Sequence, residues 1–185
     1  MSQSLQDYFT DISQSLAAEQ EKMVKLVFSG LDEFDMTPKI FEILKEAGEV
    51  LIRNSIEHGL EFELDRILKH KDKVGRTDVE LEVVNDTLSL SIHDDGKGLN
   101  FSAIRARAHV LELIDTPLGN INRDKLIRCL FTEKFSTKEN HDQLKSNAVG
   151  LSHVKALLKT VRGRVSVRSS HDEYCQFKIK LPMKI

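Results

Sequence analysis

Apolar residues recur at helical spacing at the start of the chain, where Leu5, Tyr8, Phe9, Ile12 and Leu16 line one side and leave a polar back. Residues 3–20 are therefore predicted to form an amphipathic helix, a linker that could also dock or dimerise, ahead of a domain over residues 21–185. Met23 to Phe28 reads as a short strand, closed by Ser29-Gly30 and an acidic loop with Asp32, Glu33 and Asp35. Thr37-Pro38 supplies a capping hydroxyl and a proline at the first helical position. The helix so opened runs to about His58, where Gly59 can take a left-handed stop.

After a charged segment from Glu61 to Arg76 come two alternating runs, Val79/Leu81/Val83 and Leu88/Leu90/Ile92, separated by Asn85-Asp86-Thr87. These predict a hairpin with one apolar face. Asp94-Asp95-Gly96-Lys97-Gly98 breaks the alternation, and Phe101, Ile104, Ala108 and Leu111 restore a helical period. Another helix is expected from Asn122 to Phe131. The 18 polar residues from Thr132 to Val149, with Lys134, Lys138 and Lys145, exceed an ordinary connection and read as a lid. Leu151, Val154, Leu157, Leu158 and Val161 predict a last helix, and Val165/Val167 with Cys175/Phe177/Ile179/Leu181 a closing hairpin. The expected class is α+β, a two-layer sandwich whose mixed, mostly antiparallel sheet is covered on one face by helices.

Composition narrows the function. With 27 basic against 29 acidic side chains and a net charge of −2 over 185 residues, the chain suits one domain and lacks the basic field of a nucleic-acid binder. No apolar run approaches a membrane span, and Met1 to Glu21 is polar and acidic, so a cytoplasmic location is expected. Cys129 and Cys175 lie far apart, which suits neither a structural zinc nor a disulfide framework. His70, His93, His109, His141, His153 and His171 share no ligand spacing and read as surface or packing residues.

Two places carry chemistry. Ile43, Ala47, Val50 and Asn54 are spaced four, three and four apart, which sets Asn54 on the core-facing stripe. A buried amide needs partners, which the backbone or a hydrated cation can supply. His58 follows one turn on, with Arg53 and Glu57 beside it, groups suited to Mg²⁺ and phosphate and equally to an ordinary helix end. Asp94 then closes a strand ahead of Gly96 and Gly98, two residues without Cβ that let a flat ligand approach, while the carboxylate can accept from an exocyclic amine. Alone, this pentapeptide is as compatible with a plain turn.

Order and spacing tie the two together. Arg53-Asn54-Ser55-Ile56-Glu57-His58-Gly59-Leu60-Glu61, then Asp94-Asp95-Gly96-Lys97-Gly98-Leu99, then Phe131 with Phe135-Ser136-Thr137, then Val149-Gly150-Leu151-Ser152 and Val154-Lys155 resemble the ATP-binding domain of the CheA-type chemotaxis histidine kinases. That domain has the Bergerat fold shared with DNA gyrase B, Hsp90 and MutL. The resemblance implies that Asn54 coordinates Mg²⁺, that Arg53 and His58 touch phosphates, and that Asp94 accepts from the adenine amine over Gly96 and Gly98. It also implies that Thr132 to Val149 is the ATP lid, with Thr137, Gly150 and Leu151 in the nucleotide site and helix amides after Gly150 facing the phosphates.

Three positions depart from the family pattern. The Glu or His usual one turn before the Asn is Val50, leaving the neighbouring Glu49 as the one candidate for acid–base work. The lid's Gly-x-Gly-x-Gly is Ser146-x-Ala148-x-Gly150, and a late Gly-Thr pair is Tyr174-Cys175. One expectation is a kinase domain that uses ATP and Mg²⁺ to phosphorylate a His on a phosphotransfer or receiver-type signalling partner. Others are a non-catalytic module that docks a partner, and an anti-sigma-factor-type Ser kinase. No His precedes His58, and 185 residues leave no room for dimerisation and phosphoacceptor modules, so action in trans or within something larger is expected.

Overall fold

In the computed structural model, which describes residues 4–31, 34, 36–115, 121–133, 135 and 150–183, the first helix is part of the core. Helix α1 (Leu5–Glu19) is capped by the Ser4 hydroxyl, which accepts from the Asp7 N–H at 3.1 Å. It buries Leu5, Phe9 and Leu16 against helix α2 (Pro38–Asn54). Gly48 of α2 makes this approach possible, because a Cβ there would lie 2.3 Å from the Phe9 ring. The apolar face that reads as free to dock or dimerise is thus occupied within the chain.

Five strands form one sheet in the order β1-β2-β3-β5-β4: β1 (Val24–Ser29), β2 (Gly75–Val84), β3 (Thr87–Asp94), β4 (Arg164–Ser170) and β5 (Tyr174–Pro182). Only β1–β2 is parallel; the other three pairings are antiparallel, as the mixed, mostly antiparallel expectation requires. Asn85 and Asp86 have φ of 50° and 57°, the left-handed pair that a two-residue turn needs to match strand twist. Register aligns Val79, Ile92 and Phe177 in one rank and Leu81, Leu90 and Ile179 in the next. Above these ranks lie Ile43, Leu44, Ala47 and Leu51 of α2, with Val154 and Leu158 of α6 (Leu151–Lys159). The opposite face is polar, with Asp78, Glu80 and Glu82 on β2 and Lys178, Lys180, Arg164 and Arg168 on β5 and β4. Lys178 Nζ crosses it to Glu82 at 2.6 Å.

Three short helices complete the described chain: α3 (Glu63–Leu68), within the segment read as merely charged, α4 (Phe101–Val110) and α5 (Arg123–Leu130). Asn100 and Asn122 cap the last two. One expectation is corrected. The second helix does not run on as an α-helix to His58, because Ser55–Gly59 form a single π-helical turn closed by the Leu60 N–H on the Ser55 carbonyl at 2.8 Å. Gly59 is not a left-handed stop either, since the positive-φ glycines among the described residues are Gly30 and Gly98.

Candidate functional site

The apolar ranks of the sheet end in a polar one. Thr77, Asp94 and Cys175 stand opposite one another on β2, β3 and β5, one step beyond Val79, Ile92 and Phe177, and Ser169 of β4 follows Cys175. All point to the helix layer by strand alternation. Asp94 is 2% exposed, and its Oδ1 accepts the Gly96 N–H at 3.1 Å. Above it the Ser55 hydroxyl meets the Thr77 hydroxyl at 2.9 Å. Burial pushes the Asp94 carboxyl up to about 7, opposed by the Gly96 N–H and reinforced by the charge of Asp95. Burial, then the Asp94 charge, also pushes the Cys175 thiol up. Tyr174 stacks on His93 at 5.1 Å, and Cys175 is the member of the Tyr174-Cys175 pair that lies in register with Asp94.

Backbone closes tightly around this carboxylate. A Cβ on Gly59 would lie 2.9 Å from Asp94 Oδ1, and one on Gly96 would lie 2.3 Å from the Gly59 carbonyl oxygen. Gly59 is therefore required by proximity, and it is a site residue that sequence reading assigned to helix termination. Gly98, at φ +68°, needs glycine for its conformation as well as for the Ser170 carbonyl beside it.

The glycine loop is clamped from outside. Lys97 N–H donates to the Gly59 carbonyl at 3.0 Å, and Lys71 Nζ donates to the carbonyls of Asp95 and Gly96, both at 2.8 Å. Arg66, 1% exposed, reaches Asp95 Oδ2 at 2.7 Å and Glu61 Oε2 at 3.3 Å. Burial alone would raise the Glu61 carboxyl, but hydrogen bonds from Lys71 and the backbone leave it below its ordinary value. This buried network lies in the segment read from the sequence only as charged.

At the other end of the π-turn stands Asn54. It is half-buried, not buried, because the core stripe passes from Val50 to Leu51, Ile52, Ser55 and Ile56 as the helix widens. Asn54 Nδ2 donates to the Val50 carbonyl at 2.8 Å, leaving its side-chain oxygen without a hydrogen bond among the described residues. Arg53 lies between Glu49 at 3.4 Å and Glu57 at 3.2 Å, and the exposed His58 is 3.9 Å from Glu57. Glu49, the candidate for acid–base work, faces helix α1. Its Oε2 accepts from Tyr8 of α1 at 2.7 Å, and it lines a cleft of about 200 Å³ with Tyr8, Glu42, Lys45 and Glu46. The α-helix is regular through Gly48, so nothing re-aims it toward Asn54.

Gly150 caps α6 and Leu151 is its first residue; a Cβ on Gly150 would meet open space. Thr137, Ser146, Ala148 and the lysines at 134, 138 and 145 lie outside the described residues. Phe131 is buried and Phe135 packs against the core. On α4, Arg105 and Arg107 each hold a buried Nε with no hydrogen-bond partner among the described residues, a feature that their helical spacing gave no sign of.

The family model for histidine kinase-, DNA gyrase B- and HSP90-like ATPases matches residues 42–185. The chemotaxis protein CheA of Borreliella burgdorferi is 30% identical over 96% of this chain, and that of Bacillus subtilis 29% over 96%. The chain spans 20% of the first relative's length and 26% of the second's. Among solved structures, the histidine kinase domain of the Erythrobacter litoralis EL346 blue-light activated kinase covers 97% of this chain with TM-score 0.55 and 12% identity, the chain covering 65% of it. That likeness concerns the fold, a five-stranded mixed sheet with helices. Membership of the matched family implies an ATP-binding domain. The chain belongs to the histidine kinase-, DNA gyrase B- and HSP90-like ATPase family.

Proposed function

We propose that this chain binds ATP at the polar rank of its sheet and serves as the catalytic domain of a chemotaxis-type histidine kinase, transferring the γ-phosphoryl group to a His of a separate phosphotransfer or receiver-type protein in the cytoplasm. The observation that carries the proposal is Asp94, a carboxylate 2% exposed that is met by the Gly96 N–H and the Ser55 hydroxyl, with lone pairs to spare and no cation against it in the described structure. Such a group is a strong acceptor awaiting a donor, and an adenine amine fits it. Gly96 and Gly98 keep the backbone beside the base free of side chains.

Mg²⁺ suits the other end of the turn. The side-chain oxygen of Asn54 is a hard ligand, and this one protein oxygen is in keeping with a cation that takes most of its remaining ligands from phosphate and water. The ion would neutralise phosphate charge. Arg53 and His58 would orient the phosphates, with Thr137, Gly150 and Leu151 on the lid side. Self-association through α1 would have to use its polar back, since Leu5, Phe9 and Leu16 are buried.

A second reading, a module that binds a partner without turnover, draws on Val50. It is 5% exposed and apolar one turn before Asn54, where a proton acceptor would otherwise face the reacting group. Calorimetric titration with a non-hydrolysable ATP analogue and Mg²⁺ tests the shared claim, and no heat with the wild-type chain would end it. Labelled ATP with candidate phosphotransfer proteins then separates the two readings. Label on a partner His supports the kinase, and binding without label supports the module.

A further inference from the structure

The π-turn spends its backbone bonds unusually. The Leu60 N–H that an α-turn would deliver to Ile56 goes to Ser55, and the chain leaves extended at Leu60, with ψ 137°. The carbonyls of Ile56 and Glu57 are left at the exit of the turn. Both are taken by one side chain from a remote part of the sequence: Lys22, just past the end of α1, places Nζ 2.6 Å from the Ile56 oxygen and 3.1 Å from the Glu57 oxygen. The same ammonium lies 5.2 Å from the centre of the Phe62 ring. On its far side, the turn gives the Gly59 carbonyl to Lys97 of the glycine loop at 3.0 Å. It is thus gripped between the exit of α1 and the loop that carries the candidate base site.

We propose that Lys22 is a positioning residue for the nucleotide site, holding Ser55–Gly59 in π geometry so that Gly59 stays against Asp94 while Arg53 and His58 stay on the phosphate side. The inference rests on the nucleotide reading given above. A π-turn is intrinsically rarer and weaker than the α-turn that the same residues could form, so it needs an external acceptor account that balances. An ammonium on two orphan carbonyls supplies that balance. Without it the turn loses its support and opens at Leu60, which shifts the residues after Asn54 and carries Gly59 away from Asp94, where the fit leaves no slack. The N-terminal segment has a second hold on the same end of the helix. Tyr8 of α1 donates to Glu49, and Glu49 in turn pairs with Arg53. The N-terminal segment therefore braces both sides of the turn, through Lys22 beyond α1 and through Tyr8 on it.

Lys22→Met, which keeps the stem and removes the charge, and Lys22→Arg, which keeps two donors, test this in the full chain. Two measurements are made: the Kd for an ATP analogue with Mg²⁺, and amide exchange at Leu60 without nucleotide. Lys22→Met is expected to bind roughly tenfold more weakly, the ratio one charge-assisted hydrogen bond carries, and to exchange Leu60 faster. Lys22→Arg is expected to restore both, which a mere loss of stability would not do. Unchanged exchange in Lys22→Met overturns the inference, as does faster exchange with unaltered affinity. If the wild type binds no nucleotide, the nucleotide reading fails by itself. Exchange at Leu60 then decides whether Lys22 holds the turn.

Discussion

Replacing Asp94 by Asn is expected to strengthen the free fold above neutral pH while weakening nucleotide binding. The carboxyl is raised from 3.8 to about 7 by burial, so the native state holds its proton more tightly than the unfolded chain does. The stability contributed by that proton is fully present below about pH 4 and is lost as pH rises to about 7. That rise corresponds to about 4 kcal/mol, of which roughly 2–3 kcal/mol falls between about pH 5 and about pH 8. Asn has nearly the same shape, can still accept the Gly96 N–H through its oxygen, and never ionises. The stability difference between Asp94→Asn and wild type should therefore shift in the variant's favour by about that amount across the interval, as read from urea unfolding at constant m. The same substitution replaces a charged acceptor by an amide that offers N–H groups to the adenine amine, and affinity for an ATP analogue should fall by roughly 30–100-fold. Parallel stability curves for the two proteins from pH 5 to 8 would refute the burial reasoning. Unaltered affinity would refute the adenine assignment and leave the stability result standing.

Gly96→Ala must move one of two backbones, because its Cβ would sit 2.3 Å from the Gly59 oxygen and 2.7 Å from Asp94 Oδ1. A loss of about 1–3 kcal/mol in urea unfolding is expected, and an unchanged midpoint would deny the close approach. Tyr8 is pushed up to about 12 by burial first and then by its hydrogen bond to Glu49. Its contribution to stability is present below about pH 10 and is lost as pH rises toward 12. Its phenolate absorbance, isolated by difference from Tyr8→Phe, should half-develop only near pH 12, and a midpoint near 10 would remove the Tyr8–Glu49 contact.

Elements with uninterrupted periodicity were readable from sequence to within a few residues: α1, the Thr37-capped α2 and the β2–β3 hairpin all follow local rules of spacing, capping and turn chemistry. Legibility failed where one residue serves a distant contact. Asp94 reads as the residue that closes its strand, and β3 does end there, but the rank it forms with Thr77 and Cys175 opposite depends on distant strands and is not given by local pattern. Nothing in Ser55-Ile56-Glu57-His58 announces a π-turn, whose bonds close through Lys22 and Lys97. Arg66 sits in a segment that reads only as charged, and Glu61 and Asp95 let it be buried. The Asn54 and Asp94 ends were found separately by chemistry, whereas the fact that one turn touches both is a property of the fold.

A net charge of −2 suggests a nearly neutral object, but the open face of the sheet is polarised. Asp78, Glu80 and Glu82 on β2 stand about 14 Å from the arginines of β4, three strand spacings away, with Lys178 and Lys180 of β5 on the basic side and Lys178 reaching across β3 to Glu82. The separation of the outermost charges exceeds the screening length of physiological salt, about 8 Å, so beyond the Lys178–Glu82 contact pair the two sides act as a dipole only in dilute buffer. An approaching charged protein is therefore turned edge-on at low ionic strength, toward β2 or β4 according to its sign. Association rates measured in dilute buffer would carry this orienting torque, and rates in physiological salt would largely lose it.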